Sequence, residues 1–237
     1  MKTLNLVLDQ NAETTSLKFN VRMMVNAGYV GRNIEAVKAH IEELAKEGVP
    51  APSMVPMVFP VTTRNLTTSS HIEVVGSKTS GEAEYVLLIQ DDEIYVGVGS
   101  DHTDRQVEQG SIVKSKQVCQ NLMSKTVWNY NSIRERWDDL LIKSWVKPLG
   151  SDEEILYQEA RLGTIISPND IIELIRSKMT DHQLNGMVIF SGTVPTLTSE
   201  MICGHFFRAE IYDSAKDARL SCEYQVEKLE YLGEVDE

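Results

Sequence analysis

Two apolar runs held apart by four polar residues constrain this chain more than any other feature. Glu84–Ile89 and Ile94–Gly99 flank Gln90-Asp91-Asp92-Glu93, which has the turn chemistry of a β-hairpin. If Asp91 and Asp92 are the two turn residues, Gln90 pairs with Glu93, and the same register follows if all four residues form the loop. Counting outward sets Glu84 opposite Gly99 and Glu82 opposite Asp101. Alternation places Glu82 and Glu84 on one face of their strand. Directly opposed residues share a face, with Cβ atoms roughly 5 Å apart. The hairpin therefore predicts that Glu82, Glu84 and Asp101 converge, with Gly99 leaving space between them.

Like charges opposed in this way destabilise a sheet unless protons or a cation compensate. An oxygen-only cluster suits a hard ion such as Mg²⁺, Mn²⁺ or Ca²⁺ rather than zinc. The plain alternative is a solvated acidic face whose charges repel weakly. The apolar run from Tyr85 and the strand end Gly97-Val98-Gly99-Ser100-Asp101 argue for a pocket wall. On these residues alone the two readings stand level, and a three-residue turn would change the register.

The rest of the chain reads as α+β, mostly β. Leu4–Leu8 and Leu17–Val21 predict a small N-terminal strand pair within residues 1–25, ahead of a main domain over 26–237. Ile34, Val37, Ile41 and Leu44 recur at helical spacing, with Asn33 as a cap and Gly48 past the end, so residues 34–47 are expected to be helical. Pro50, Pro52, Pro56 and Pro60 then force an extended, irregular path. Ile133–Leu140 reads as a short helix, and Leu141–Lys147 and Ile155–Ala160 as strands. Ser167-Pro168-Asn169-Asp170 combines a serine N-cap, a proline in the first turn and an acid at the third position; it starts a helix expected to reach about Met179. Strands are expected at Met187–Ser191, Phe206–Tyr212 and Leu220–Leu229.

A formal net charge of −12 over 237 residues, with no Lys/Arg cluster to offset it, argues against nucleic acid and anionic membranes as partners. The three cysteines have neither zinc-knuckle spacing nor an even count, which fits reduced thiols in a cytosol. Met1–Gln10 lacks the apolar region of a signal peptide, and the apolar runs are too short to span a bilayer. A soluble, cytoplasmic protein is expected.

Beyond the acidic hairpin, several short motifs keep a particular order. Gly31-Arg32-Asn33 and His40-Ile41-Glu42-Glu43 are followed by a proline-rich stretch to Phe59. Then come Gly81-Glu82-Ala83-Glu84, Asp101-His102-Thr103-Asp104-Arg105, Lys116, Gln158 after Ile155-Leu156-Tyr157, and Ser191-Gly192-Thr193. In this order, over about residues 27–230, the sequence resembles the fumarylacetoacetate hydrolase-like superfamily, and looks closest to an uncharacterised bacterial and fungal branch of it. It departs from that pattern in three places: a shorter gap between Glu84 and Asp101, three extra residues between Asn33 and His40, and a late loop without the full Thr-Gly-Thr-Pro-x-Gly form.

The resemblance implies a mixed β-roll or barrel with a few flanking helices, usually as a homodimer. It implies Glu82, Glu84 and Asp101 as ligands of Mg²⁺ (or Mn²⁺ or Ca²⁺), with the metal acting as a Lewis acid on a small oxo-acid or acylpyruvate-like substrate while a C–C bond is cleaved. Decarboxylation or isomerisation on the same site is the rival chemistry, and a non-catalytic small-acid-binding protein the rival class. Lys116 would stabilise the enolate or transfer a proton, with a pKa lowered by its desolvated surroundings; Lys114 competes for that place. His40 and Glu43, at i and i+3, would form a base dyad on a lid, or simply a polar pair beside the apolar stripe. Arg105, Gln158 and Thr193 would bind substrate oxygens, although Arg105 could equally hold a structural carboxylate. His102 should face away from Asp101. Trp128, Trp137 and Trp145 read as core or subunit contacts, as does Met23-Met24-Val25.

Overall fold

The computed structural model describes residues 2–10, 13–35, 37–38, 41–42, 52 and 54–232. In chain order the strands are β1 (Lys2–Gln10), β2 (Glu13–Val21), β3 (Met23–Gly28), β4 (Met57–Val61), β5 (Leu66–Thr67), β6 (His71–Val74) and β7 (Thr79–Ser80). The central hairpin is β8 (Ala83–Gln90) and β9 (Glu93–Asp101), followed by β10 (Thr103–Asp104) and two short helices, α1 (Arg105–Gly110) and α2 (Ile112–Val118). Then come β11 (Asn121–Met123), β12 (Thr126–Asn129), β13 (Leu141–Pro148), β14 (Ile155–Arg161), α3 (Pro168–Lys178), β15 (Met187–Phe190), β16 (Gly204–Asp213) and β17 (Ala218–Lys228).

Two sheets carry the fold. The large one runs β2-β1-β12-β9-β8-β15-β3-β4, with β11 bridging β9 to β5, and the smaller one runs β14-β13-β16-β17-β6. One face of the large sheet packs on the smaller sheet: Tyr85, Leu87, Val96 and Val98 meet Phe207, Ile211, Leu220 and Tyr224 in one core. Its other face closes over a second core containing Leu4, Leu6, Phe19, Val86, Leu88, Val188 and Phe190. Because both faces are covered, β8 is buried from Ala83 to Ile89, and this explains its unbroken apolar run rather than the alternation of a half-exposed strand. The architecture is mostly β with a few helices, as expected from the sequence.

The first hairpin hydrogen-bonds in register from Lys2↔Val21 to Gln10↔Glu13 and joins the large sheet through β1 beside β12. Residues 34, 35, 37, 38, 41 and 42 are helical, and Asn33 Oδ1 accepts from the Glu35 N–H at 3.1 Å, as its capping role requires. Ser167 caps α3 by accepting from the Asp170 N–H at 3.2 Å. Expected helix 133–140 is instead a 3₁₀ segment over Arg134–Asp139. Trp137 and Trp128 are core residues, whereas Trp145 is half-buried beneath the Arg208 guanidinium, 4.1 Å from its ring centroid. Met24 is core, and the half-buried Met23 and Val25 line an apolar groove of about 480 Å³ with Met179 and Met187.

Candidate metal centre

The turn between β8 and β9 sets the register of everything around it. Asp91 and Asp92 both have positive φ, 52° and 64°, the conformation of a two-residue type I′ turn. Gln90 then pairs with Glu93 and Glu84 with Gly99, as counted from the sequence. The Asp101 N–H donates to the Glu82 carbonyl at 3.2 Å, extending the ladder by one step. One ligand oxygen from each of Glu82, Glu84 and Asp101 lies within 4.8 Å of the others. Glu84 and Asp101 are buried, while the Glu82 side chain remains 20% exposed at the mouth.

Gly99 does not open room for an ion, contrary to the expectation. A Cβ there would sit 2.3 Å from the Leu122 carbonyl oxygen and 2.9 Å from the Phe190 ring. The glycine instead permits β11 and the apolar core to close behind the carboxylates.

The sequence around the trio folds to hold it. The Gly192 N–H donates to Glu84 Oε2 at 2.9 Å, so the late loop presents its backbone to one of the protein's own carboxylates. Gly192 adopts φ +86°, and a Cβ there would meet Val30 at 2.8 Å, so this turn requires glycine. Gln158 binds the mouth of β8: its Oε1 accepts from the Ala83 N–H at 3.0 Å, and its Nε2 donates to Thr193 Oγ1 at 2.8 Å and the Val194 carbonyl at 2.6 Å. Thr193 Oγ1 donates in turn to the Ala83 carbonyl at 2.9 Å.

Lys116, near the end of α2, is the buried lysine, and Lys114 is exposed. Its Nζ lies 2.5 Å from Asp101 Oδ2, 3.3 Å from Glu82 Oε2 and 4.0 Å from Glu108 Oε1. Burial lowers its pKa, but Asp101, Glu82 and Glu108 outweigh burial and raise it. The expectation of a lowered pKa is therefore reversed: these carboxylates hold the ammonium charged. Arg105 Nη2 is 3.1 Å from Glu82 Oε1, its Nη1 2.8 Å from Glu108 Oε2, and its Nε donates to Ser80 Oγ at 2.8 Å. The guanidinium thus bridges Glu82 and Glu108.

The three carboxyl groups differ in consequence. Burial pushes Glu82 up, but Arg105 and Lys116 together hold it down, at about 2. Burial, Asp101 and Glu82 push Glu84 well above the usual carboxylate range. Burial also raises Asp101, against the pull of Lys116. Among the described residues, the cations paired with Glu82, Glu84, Asp101 and Glu108 are Lys116 and Arg105. Fully ionised, four carboxylates against two cations leave two negative charges in excess, which one divalent ion would cancel. The donor set is entirely oxygen and partly desolvated, so it fits a hard divalent cation.

Several neighbours escape sequence reasoning. Glu108 anchors both cations, and Asp104 caps α1 by accepting from the Gln106 and Val107 N–H groups; an N-cap acid was the available signal. Tyr29, at φ 57°, has its phenol pushed up by burial, Glu108 and Glu82, against Lys116, which puts it in the same electrostatic neighbourhood. Asn26 and Asn121 are fully buried beside Asp101. His102 is buried on the other face with Nδ1 2.9 Å from the Tyr224 hydroxyl, so it is turned away from the trio as expected. His40 and Glu43 lie outside the described residues.

Comparison with known proteins follows the same lines. The sequence matches, over residues 27–224, a family described as Protein of unknown function (DUF2848). No curated protein matches it. Among solved structures, Cg1458 with inhibitor superposes with a TM-score of 0.64 at 21% identity, covering 91% of this chain and 81% of that one. 2-Keto-3-deoxy-D-arabinonate dehydratase complexed with magnesium and 2,5-dioxopentanoate gives 0.60 at 16% identity, covering 92% and 85%. Fumarylacetoacetate hydrolase from psychrophilic Exiguobacterium antarcticum gives 0.58 at 13% identity, covering 92% and 79%. With most of its length matched, the chain belongs to the DUF2848 family, and its fold is that of the fumarylacetoacetate hydrolase superfamily.

Proposed function

We propose that this protein is a divalent-metal-dependent hydrolase or lyase that cleaves a C–C bond in a small oxo-acid or acylpyruvate-like substrate. The observation that carries this reading is the convergence of Glu82, Glu84 and Asp101 within 4.8 Å of one another in a partly desolvated cluster. Those three residues would hold Mg²⁺, or Mn²⁺ or Ca²⁺ in its place. A bound ion would supply Lewis-acid stabilisation of negative charge developing on the substrate's oxo oxygen.

The chain's own residues take the remaining roles. Lys116, held protonated by Asp101, Glu82 and Glu108, serves as a fixed positive charge and a proton donor to the departing carbon. Arg105, Gln158 and Thr193 stand beside the trio; Gln158 and Thr193 donate to a substrate oxygen by exchanging a protein partner, whereas the five N–H groups of Arg105 exceed its contacts to Ser80, Glu108 and Glu82. His40 and Glu43 are proposed from the sequence alone as the dyad that activates water. The catalytic domain is assigned to residues 26–237, with the strand pair of residues 1–25 built into its large sheet through β1. The protein works in the cytoplasm as a homodimer. No described helix is long and apolar enough to cross a membrane.

A second reading keeps the site and changes the reaction to dehydration, decarboxylation or isomerisation of an oxo-acid. Two observations favour it: the dehydratase of similar fold is complexed with magnesium and an oxo-acid, and the proton carrier beside the trio is an acid rather than a base. A non-catalytic small-acid-binding role is the remaining alternative. Chelator-treated protein, resupplied with Mg²⁺ or Mn²⁺, should turn over an acylpyruvate under the first reading, or oxaloacetate or a 3-deoxy-2-oxo sugar acid under the second. Glu84→Gln should remove that activity by at least 10²-fold. Absence of turnover on the whole panel, with no heat of Mg²⁺ binding, would sink both.

A further inference from the structure

Asn26 and Asn121 are fully buried, yet neither Asn26 Oδ1 nor Asn121 Oδ1 finds a hydrogen-bond partner, while the Asn26 amide lies close enough to Asp101 to help hold its carboxyl down. Buried amides without partners are rare, because each forfeits its hydration for nothing. Their position makes this informative. Asn26 pairs with Phe190, and Phe190 with Val86, so Asn26 shares a face with Val86 and with Glu84 two residues before it. Glu84 pairs with Gly99, whose face continues to Asp101, and Asp101 pairs with Asn121. One layer therefore contains Asn26, Glu84, Asp101 and Asn121. The Asn121 amide nitrogen donates to Asp101 Oδ1 at 3.3 Å. An ionised carboxylate can only accept, so the group turned to Asp101 is the NH₂, and the orphaned group is the acceptor oxygen. Hard divalent ions bound by few carboxylates keep several waters, and such waters are donors in need of acceptors.

We propose that Asn26 and Asn121 belong to the cation site as neutral positioning residues, their amide oxygens accepting hydrogen bonds from water molecules of the ion's coordination shell. This rests on reading the carboxylate trio as a cation site. Without these acceptors the shell waters lose their orientation, and affinity falls as it does when a metal ligand's outer partners are removed, by 10–100-fold. Leucine nearly matches asparagine in shape and leaves no unpaired oxygen, but it also withdraws an amide donor from Asp101, so its two effects on the metal-free fold oppose each other.

The test is titration of the metal-free full-length protein with Mn²⁺, following free Mn²⁺ by electron paramagnetic resonance, beside melting of the same metal-free samples. Asn26→Leu and Asn121→Leu should each raise the Mn²⁺ Kd about tenfold or more, with the metal-free Tm within about 2–4 °C of wild type, because the relieved oxygen offsets the donor lost to Asp101. Asn26→Ala, smaller and equally apolar, serves if leucine does not fit. A Kd change below tenfold in all three variants, or one that only accompanies a larger fall in Tm, would overturn the proposal while leaving the metal reading intact. Wild-type protein that takes up no Mn²⁺ would overturn the metal reading and this inference with it.

Discussion

Lys116 stands with Asp101, Glu82 and Glu108 around its ammonium, and that enclosure makes its removal informative. Taking one partner from a buried charge group leaves the others uncompensated, at about 3–5 kcal/mol. Lys116→Met should therefore lower the melting temperature of the metal-free protein by roughly 10 °C at the common exchange of 2–4 °C per kcal/mol. Added Mg²⁺ should recover more of that loss than it adds to wild type, because the ion replaces the missing positive charge. Equal Mg²⁺ shifts in the two proteins, measured by thermal melting, would contradict this. At this scale the sequence was legible where geometry follows from counting: the trio, and the placing of His102 on the opposite face, come directly from strand alternation. It was not legible where tertiary surroundings decide. Nothing local separates Lys116 from Lys114, and an alternation argument cannot know that Glu108 sits beside Arg105. The asparagines were invisible for the same reason, since a missing partner is a property of the assembled layer.

The β8–β9 hairpin was readable because its turn leaves few choices. Asp91 and Asp92 tolerate positive φ, and a two-residue loop fixes every pair beyond it. The helices α1 and α2 were not readable. They have six and seven residues, too few to display a helical period, and they depend on side-chain caps from Asp104 and Ser111 instead. Gly99 shows how a correct position can carry a mistaken reason: the residue is required, but by the Leu122 carbonyl and the Phe190 ring rather than by an ion. Gly99→Ala should push β11 from β9 and destabilise the protein by about 3 kcal/mol or more. The urea midpoint would register this as a clear fall, and an unchanged midpoint would show that the strands separate freely there.

Over the whole molecule, strands β1, β2, β8, β9 and β13 to β17 were legible from their apolar patterns, with ends shifted by a few residues, whereas β3, β4, β5, β6, β11 and β12 were not read as strands. Their arrangement was not. Nothing local dictates that β6 pairs with β17 in parallel or that β15 lies between β8 and β3. That arrangement gives the large sheet two cores, buries Glu84 and Asp101, and brings the late loop onto Glu84. A cation bound by the folded state alone should also stabilise the entire molecule. The most direct measurement of the central claim is anomalous scattering from a crystal soaked in Mn²⁺. The account predicts one peak per chain, with oxygens of Glu82, Glu84 and Asp101 all within roughly 2–2.6 Å of it. A fully soaked crystal with no peak among those carboxylates, and Lys116 still lodged against Asp101, would contradict it.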